Sequence, residues 1–208
     1  MLNHWLSNNY IEIFGAVTGI VYVFFEIRQN IWLWPVGIVT SATYIWVFFM
    51  NKFYADMSLM VFYLIISILG WYWWAKGTGQ GAGGKGQSAQ GTERKNEELL
   101  VTRLKLKTGF ILTIVLIVLY IGMWLLLTGF TDSPVPARDS FITSLSIVAT
   151  WMLARKIFEH WYLWIVVNFV SAAIFLSRGL YPTVILYVVY GVMSFTGLAA
   201  WKKTIIND

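Results

Sequence analysis

Cysteine is absent from the 208 residues, histidine occurs only twice, and charged side chains make up 12% of the chain. The lack of cysteine excludes disulfide staples, thiol nucleophiles, Cys-ligated zinc and c-type haem attachment. A soluble domain usually carries about 25% charged residues. Half that share cannot cover the surface of a water-soluble globule of this size, so that class is excluded, as is a disordered chain. The strict apolar–polar alternation of barrel strands is also missing. The start, MLNHWLSNNY, lacks Lys, Arg and an Ala-x-Ala pattern, so no signal peptide is expected. No Asn-x-Ser/Thr sequon occurs, which favours a bacterial chain. What is abundant is apolar and aromatic: 58% hydrophobic residues, with 12 Trp, 11 Tyr and 14 Phe. Such a composition describes an all-α integral membrane protein.

The charges cluster and leave seven uncharged stretches, at 13–25, 31–50, 57–75, 108–131, 140–154, 160–177 and 179–201. A spanning helix needs about 20 apolar residues, because each adds 1.5 Å toward roughly 30 Å of hydrocarbon. Seven transmembrane helices follow. The first and fifth stretches are short, and reach span length only with Glu12, Glu26, Asp139 and Arg155 at the membrane boundary. Twelve Lys and Arg fall in one set of alternate loops: Arg28, seven within 76–107, Arg155, Lys156, Lys202 and Lys203. The other set holds three, Lys52, Arg138 and Arg178. The bias places the N-terminus outside and the C-terminus in the cytoplasm. It also accounts for the basic charge without nucleic acid, which is not expected as a partner.

The run GTGQGAGGKGQSAQG at 77–91 imitates two phosphate loops. Gly79, Gly81 and Gly84 fit a dinucleotide fingerprint, and Gly79 to Gly84-Lys85 fits most of a Walker A. Both need a strand before and a helix after, whereas a Trp-rich span precedes here and Gly86 replaces the required Ser or Thr. The run reads as a flexible linker, and no nucleotide-driven pumping is expected.

Comparing the chain with itself reveals an internal repeat. Trp34 aligns with Trp164 and Ser41-Ala42 with Ser171-Ala172. With one gap, Tyr54 aligns with Tyr181, Tyr63 with Tyr190, Gly70 with Gly197 and Trp74 with Trp201. The expected organisation is a first three-helix repeat at 1–75, a cytoplasmic Gly-rich and charged connector at 76–107, a linker helix at 108–131 facing lipid, and a second three-helix repeat at 132–208. Two parallel repeats in a 3+1+3 arrangement place a substrate near the midplane between them. Trp34-Pro35 and Gly37 read as an interrupted span, with Pro35 easing movement. Gly15 and Gly19 form a GxxxG, expected to pack helices.

The runs NYIEIFGAVTG, WLWPVGIVTSATYIWVFF, YAD and GWYWW in the first half resemble the Pnu family of bacterial vitamin transporters. RDSFITSLSIVATWMLARKIFEHWYLWIVVN, GLYPT and GLAAWKK in the second half are similar to the same family. The likeness covers nearly the whole chain except the Gly-rich linker, and the Trp161, Trp164 and Asn168 motif is a fairly specific part of it. Asp139-Ser140 and Arg155-Lys156 also match family positions. Gly37 stands where some members carry Asn, which leaves the branch open. The resemblance implies a SWEET-like 3+1+3 fold in the bacterial inner membrane and facilitated diffusion of an unphosphorylated vitamin precursor. Nicotinamide riboside, from the best-known branch, is the first expectation and thiamin, from another, the alternative, with a cytoplasmic kinase trapping the substrate. A homo-oligomer is left open.

Trp161, Trp164 and Asn168 share one helix face. Asn168 is the leading candidate, since an unsatisfied amide in an apolar span costs a few kcal/mol and must bind substrate or another helix. Trp164 lies one turn deeper than Trp161, which also reads as an interfacial belt residue. Trp34, Thr40 and Tyr44 in the first half, Tyr63 in the third span, and Tyr187 or Tyr190 in the seventh are further candidates. Glu12 reads either as an outer cation lure or as a carboxylate paired with a nearby base or exposed to headgroup water. Both vitamins carry a cationic aromatic ring, which a Trp or Tyr face attracts. No proton-relay residue is evident near a span centre, so a uniporter is expected, with no cofactor, metal or catalytic residue. A seven-helix receptor and a membrane enzyme are the remaining alternatives, the first lacking a reason for parallel repeats and the second lacking a reactive constellation.

Overall fold

A computed structural model describes residues 10–50, 54–76, 99–130 and 135–205, with the side chains at 10–12, 54–56 and 130 outside the described set. Seven helices follow in order: α1 Tyr10–Ile27, α2 Leu33–Met50, α3 Tyr54–Lys76, α4 Leu106–Phe130, α5 Pro136–Ala154, α6 His160–Ser177 and α7 Tyr181–Lys202. The Gly-rich run at 77–91 lies outside the described residues.

Helices satisfy every backbone group internally, which a lipid environment demands. The described prolines are placed so that they do not interfere. Pro136 and Pro182 fall at the first two positions of α5 and α7, and Pro35 lies in the first turn of α2. Amide N–H groups there have no intrahelical acceptor to lose. The expectation of an interrupted second span is therefore corrected: α2 runs unbroken from Leu33 to Met50.

Among the described residues five helices, α2, α3, α4, α6 and α7, are long and apolar enough to cross a membrane. The apolar part of α1, Ile13–Ile27, is shorter. α5 is rich in hydroxyls instead, and Ser140, Ser144, Ser146 and Thr150 are all buried. Three of these hydroxyls turn back onto their own helix: Ser140 and Thr150 donate to the carbonyls of Pro136 and Ser146 at 2.7 Å, and Ser144 donates to Ser140. The helix is thus polar in composition but satisfied in place.

Contacts between neighbours close a ring: α1 on α2, α2 on α3, α3 on α5, α5 on α6, α6 on α7 and α7 on α1. α4 stands outside the ring against α5, and its stretch Leu106–Gly129 contains no buried residue.

The first three and last three helices keep one register. α1 and α5 end at Ile27 and Ala154, and each is followed by a non-glycine residue in the left-handed region, Gln29 (φ 52°) and Lys156 (φ 50°). The closing hydrogen bonds repeat as well. Gln29 and Asn30 N–H donate to Glu26 and Phe25, and Lys156 and Ile157 N–H donate to Leu153 and Met152, the pairing of a Schellman cap. One constant shift in residue number carries Trp34 to Trp161, Gly70 to Gly197 and Trp74 to Trp201. A Cβ on Gly70 would overlap the Trp34 ring, and one on Gly197 would overlap the Trp161 ring. Trp34 therefore matches Trp161 rather than Trp164, and no gap is needed. The same shift carries Gly37 to Trp164, Ser41 to Asn168 and Ser67 to Ser194.

At the end of the bundle nearest the connector these tryptophans form the core. Trp34 meets Trp74 edge-on at 5.4 Å, Trp161 meets Trp201 likewise at 5.8 Å, and Trp74 joins Trp201 at 6.5 Å. Arg155 covers the Trp73 ring at 4.5 Å and Lys156 the Trp74 ring at 4.4 Å. Val101, from the segment before α4, packs into this cluster. Thr102 accepts from Phe158 N–H, and Leu104 N–H donates to Glu159 at 2.8 Å, tying that segment to the α5–α6 turn.

Candidate functional site

The helix ring encloses a cavity of about 450 Å³, within the range of small-molecule sites. All six ring helices contribute to its wall. Of the residues singled out from the sequence, Asn168, Trp164 and Trp161 from α6, Thr40 and Tyr44 from α2, Tyr63 from α3, and Tyr187 and Tyr190 from α7 line it together. Trp34 is not among the lining residues. It is fully buried in the tryptophan cluster, seated over Gly70. The side chain of Glu12 lies outside the described residues.

Asn168 sits where an apolar helix would otherwise leave an amide unpaired. It is 5% exposed, and its Nδ2 donates to the Ser194 hydroxyl at 3.1 Å, which donates in turn to the Tyr190 carbonyl at 2.8 Å. One amide N–H is thereby fixed, and with it the side chain's direction. The buried indole N–H groups of Trp161 and Trp164 have no hydrogen-bond partner, and neither do those of Trp34 and Trp74 in the cluster. A buried unpaired donor costs about 1–3 kcal/mol. On the cavity wall, a ligand rich in oxygen would answer two of them.

Glycine placement explains how the tyrosines reach the cavity. A Cβ at Gly15 would overlap the Tyr44 hydroxyl, and one at Gly19 would overlap that of Tyr190. The GxxxG of α1 thus packs against α2 and α7 by admitting a tyrosine tip from each half. Tyr187 is held by stacking on Phe175 at 5.3 Å and by an edge contact with Tyr190 at 6.1 Å.

The wall also holds residues that the sequence reading missed. Ser41, Ser67, Ser146, Thr150 and Ser194 supply hydroxyls, and Tyr22 and Glu26 come from α1. Ser67 and Ser194 were detectable, since they match under the unbroken register. Glu26 reads from sequence as a boundary charge. It is instead 2% exposed, turned inward, and bonded to the fully buried His160 at 3.1 Å. The Trp201 indole N–H donates to the Glu26 carbonyl at 3.0 Å. The pair lies far apart in sequence, and no local signal marks it.

The arrangement suits a flat aromatic ligand bearing hydroxyl groups: large ring faces on α6 and α7, an amide, and hydroxyls on the facing helices. A family model described as nicotinamide mononucleotide transporter matches residues 9–203. The nicotinamide riboside transporter PnuC of Escherichia coli (strain K12) is 26% identical over 212 residues, covering 93% of this chain and 85% of the relative. PnuC of Neisseria mucosa is 26% identical over 201 residues, covering 92% and 71%. The riboflavin/roseoflavin transporter RibM of Streptomyces davaonensis is 22% identical over 190 residues, covering 91% and 83%. Among solved structures, the crystal structure of the vitamin B3 transporter PnuC overlays with a TM-score of 0.70 at 23% identity, covering 98% of this chain and 85% of that one. That overlay shows a shared fold.

Proposed function

The chain belongs to the nicotinamide mononucleotide transporter family, and from that premise we propose that it carries an unphosphorylated vitamin precursor with a cationic aromatic ring across the membrane. Nicotinamide riboside is the first candidate, supported by the names of two relatives, and thiamin the second. The observation that carries this reading is the cavity itself, which is ringed by six helices and joins tryptophan faces to an oriented amide and several hydroxyls. No Lys or Arg lines it among the described residues, which suits a ligand without phosphate.

In this reading α1–α3 and α5–α7 are parallel repeats in a SWEET-like 3+1+3 arrangement. The matched helix ends and matched caps support it. α4 is the crossing that lets the second repeat keep the first one's orientation, and its exposed apolar face meets lipid or a further copy of the chain. The repeats rock about the cavity as a uniporter, and the protein performs no covalent chemistry. The concentration of Lys and Arg at the connector end supports a cytoplasmic C-terminus and an external N-terminus in a bacterial inner membrane. Asn168, Trp161, Trp164 and the lining tyrosines bind the substrate, and a cytoplasmic kinase traps it.

Purified protein in liposomes tests the function. Labelled nicotinamide riboside should equilibrate across the bilayer without a gradient, and accumulate only when a riboside kinase and ATP are enclosed. Absence of uptake of both the riboside and thiamin would overturn the reading.

A further inference from the structure

We propose that Glu26 is the residue by which the cavity prefers a cationic ring to a neutral one, and that His160 positions its carboxylate. The proposal rests on the transport reading and names the group that would set its selectivity.

Among the described residues of the cavity wall, Glu26 alone carries an ionisable group of the Asp, Glu, Lys, Arg and His set. His160 does not line the cavity. It is fully buried behind Glu26, with Nε2 3.1 Å from Oε1. Its other nitrogen, Nδ1, lies 2.6 Å from the Ile157 carbonyl oxygen. A carbonyl only accepts, so Nδ1 carries a proton and donates it. Nε2 and the carboxyl group then share one proton. With that proton on Nε2, the pair presents a carboxylate toward the cavity and keeps the imidazolium behind it.

Trp161 places an aromatic face at the same corner. It follows His160 directly, with ring centroids 4.7 Å apart, and it too lines the cavity. A cationic ring there gains attraction to the aromatic face and to the carboxylate, both enlarged by exclusion of water. A neutral ring gains neither charge term. The pair also departs from the repeat: under the register that matches the two halves, Glu26 falls on Leu153 and His160 on Leu33. Walls built to a common plan do not require it. A pin between α1 and α6 alone would strengthen the fold without sorting ligands by charge, and this difference is measurable.

Calorimetric titration of the purified full chain with nicotinamide riboside, thiamin and riboflavin separates the possibilities, since the first two carry a cationic ring and riboflavin is neutral. The parent protein should bind a cation more tightly than riboflavin. Glu26→Gln, which keeps shape and hydrogen bonding, should weaken cation binding by about tenfold or more while leaving any riboflavin binding nearly unchanged. Glu26→Asp should retain the preference. If the Gln variant does not fold, His160→Gln carries the test: a buried carboxyl group without its imidazole partner should lose its charge, and the cation-to-riboflavin ratio should fall. Equal weakening of all ligands, unchanged cation binding in Glu26→Gln, or a parent that prefers riboflavin would overturn the role of Glu26 and leave vitamin transport standing. A parent that binds none of the three would overturn the transport reading and this proposal together.

Discussion

At matched register α2 and α6 begin alike, with Trp34 and Trp161 each seated over a glycine of the next helix, and then diverge. α2 continues with Gly37 and Ser41 where α6 continues with Trp164 and Asn168. A Cβ on Gly37 would come within 2.9 Å of the Ser67 hydroxyl and 3.1 Å of the Tyr22 ring, so α2 lies close to its neighbours there. The opposite wall instead extends a large indole and an amide into the cavity. Shared positions build the frame and part of the wall, as with Tyr63 and Tyr190 or Ser67 and Ser194, and unshared positions make the two walls differ. Glu26 and His160 fit the same division, because their counterparts are leucines.

The strongest test of that division uses the two seats. Gly70→Ala and Gly197→Ala each press a methyl into a buried indole, and overpacking of this kind costs about 1–3 kcal/mol. Both should lower the melting temperature in detergent by similar amounts. Only Gly197→Ala should also weaken ligand binding, because Trp161 lines the cavity and Trp34 does not. Equal binding losses would erase the distinction between frame and site.

Next in size is the amide against its small counterpart. Asn168→Ala should reduce affinity for nicotinamide riboside by about tenfold, the cost of one buried hydrogen bond to a ligand. Ser41→Ala should change it by less than about threefold, and titration calorimetry reads both. A smaller effect concerns the α1 glycines. Gly19→Ala should destabilise by about 1 kcal/mol through its overlap with the Tyr190 hydroxyl, and Tyr190→Phe should relieve part of that loss in a double-mutant cycle. The Gly15 and Tyr44 pair should behave likewise, since the same contact recurs there.

The smallest effect lies outside the ring. Ile117 on α4 is 52% exposed, so Ile117→Ala should shift stability by less than about 0.5 kcal/mol. Val148 on α5 is 4% exposed, and Val148→Ala should cost about 1 kcal/mol or more, read by thermal melting. The comparison tests whether the hydroxyl-rich helix or the apolar one belongs to the structural core.

Much of the fold was legible because span length is a matter of rise per residue. The cluster at Trp161, Trp164 and Asn168 was legible for a related reason: helical spacing alone puts the three on one face. Its partner in the first half was not. Two tryptophans one turn apart allow either to be matched with Trp34. The glycine beneath each ring decides between them, and it belongs to a different helix. Pro35 misled for a similar reason, since a proline inside an apolar run looks like a break until the helix start is located.

By itself the sequence determined a membrane-embedded helical protein and one corner of the cavity wall, since each follows from residue type and interval along a single helix. Only the tertiary structure decided which wall each side chain joins. It moved Trp34 out of the cavity, turned the α1 glycines toward two tyrosines, and brought Glu26 against His160. The physical reason is that a charge at the end of an apolar run has the same local pattern whether it faces water or a partner. Burial and pairing are properties of neighbours that the chain supplies from far away.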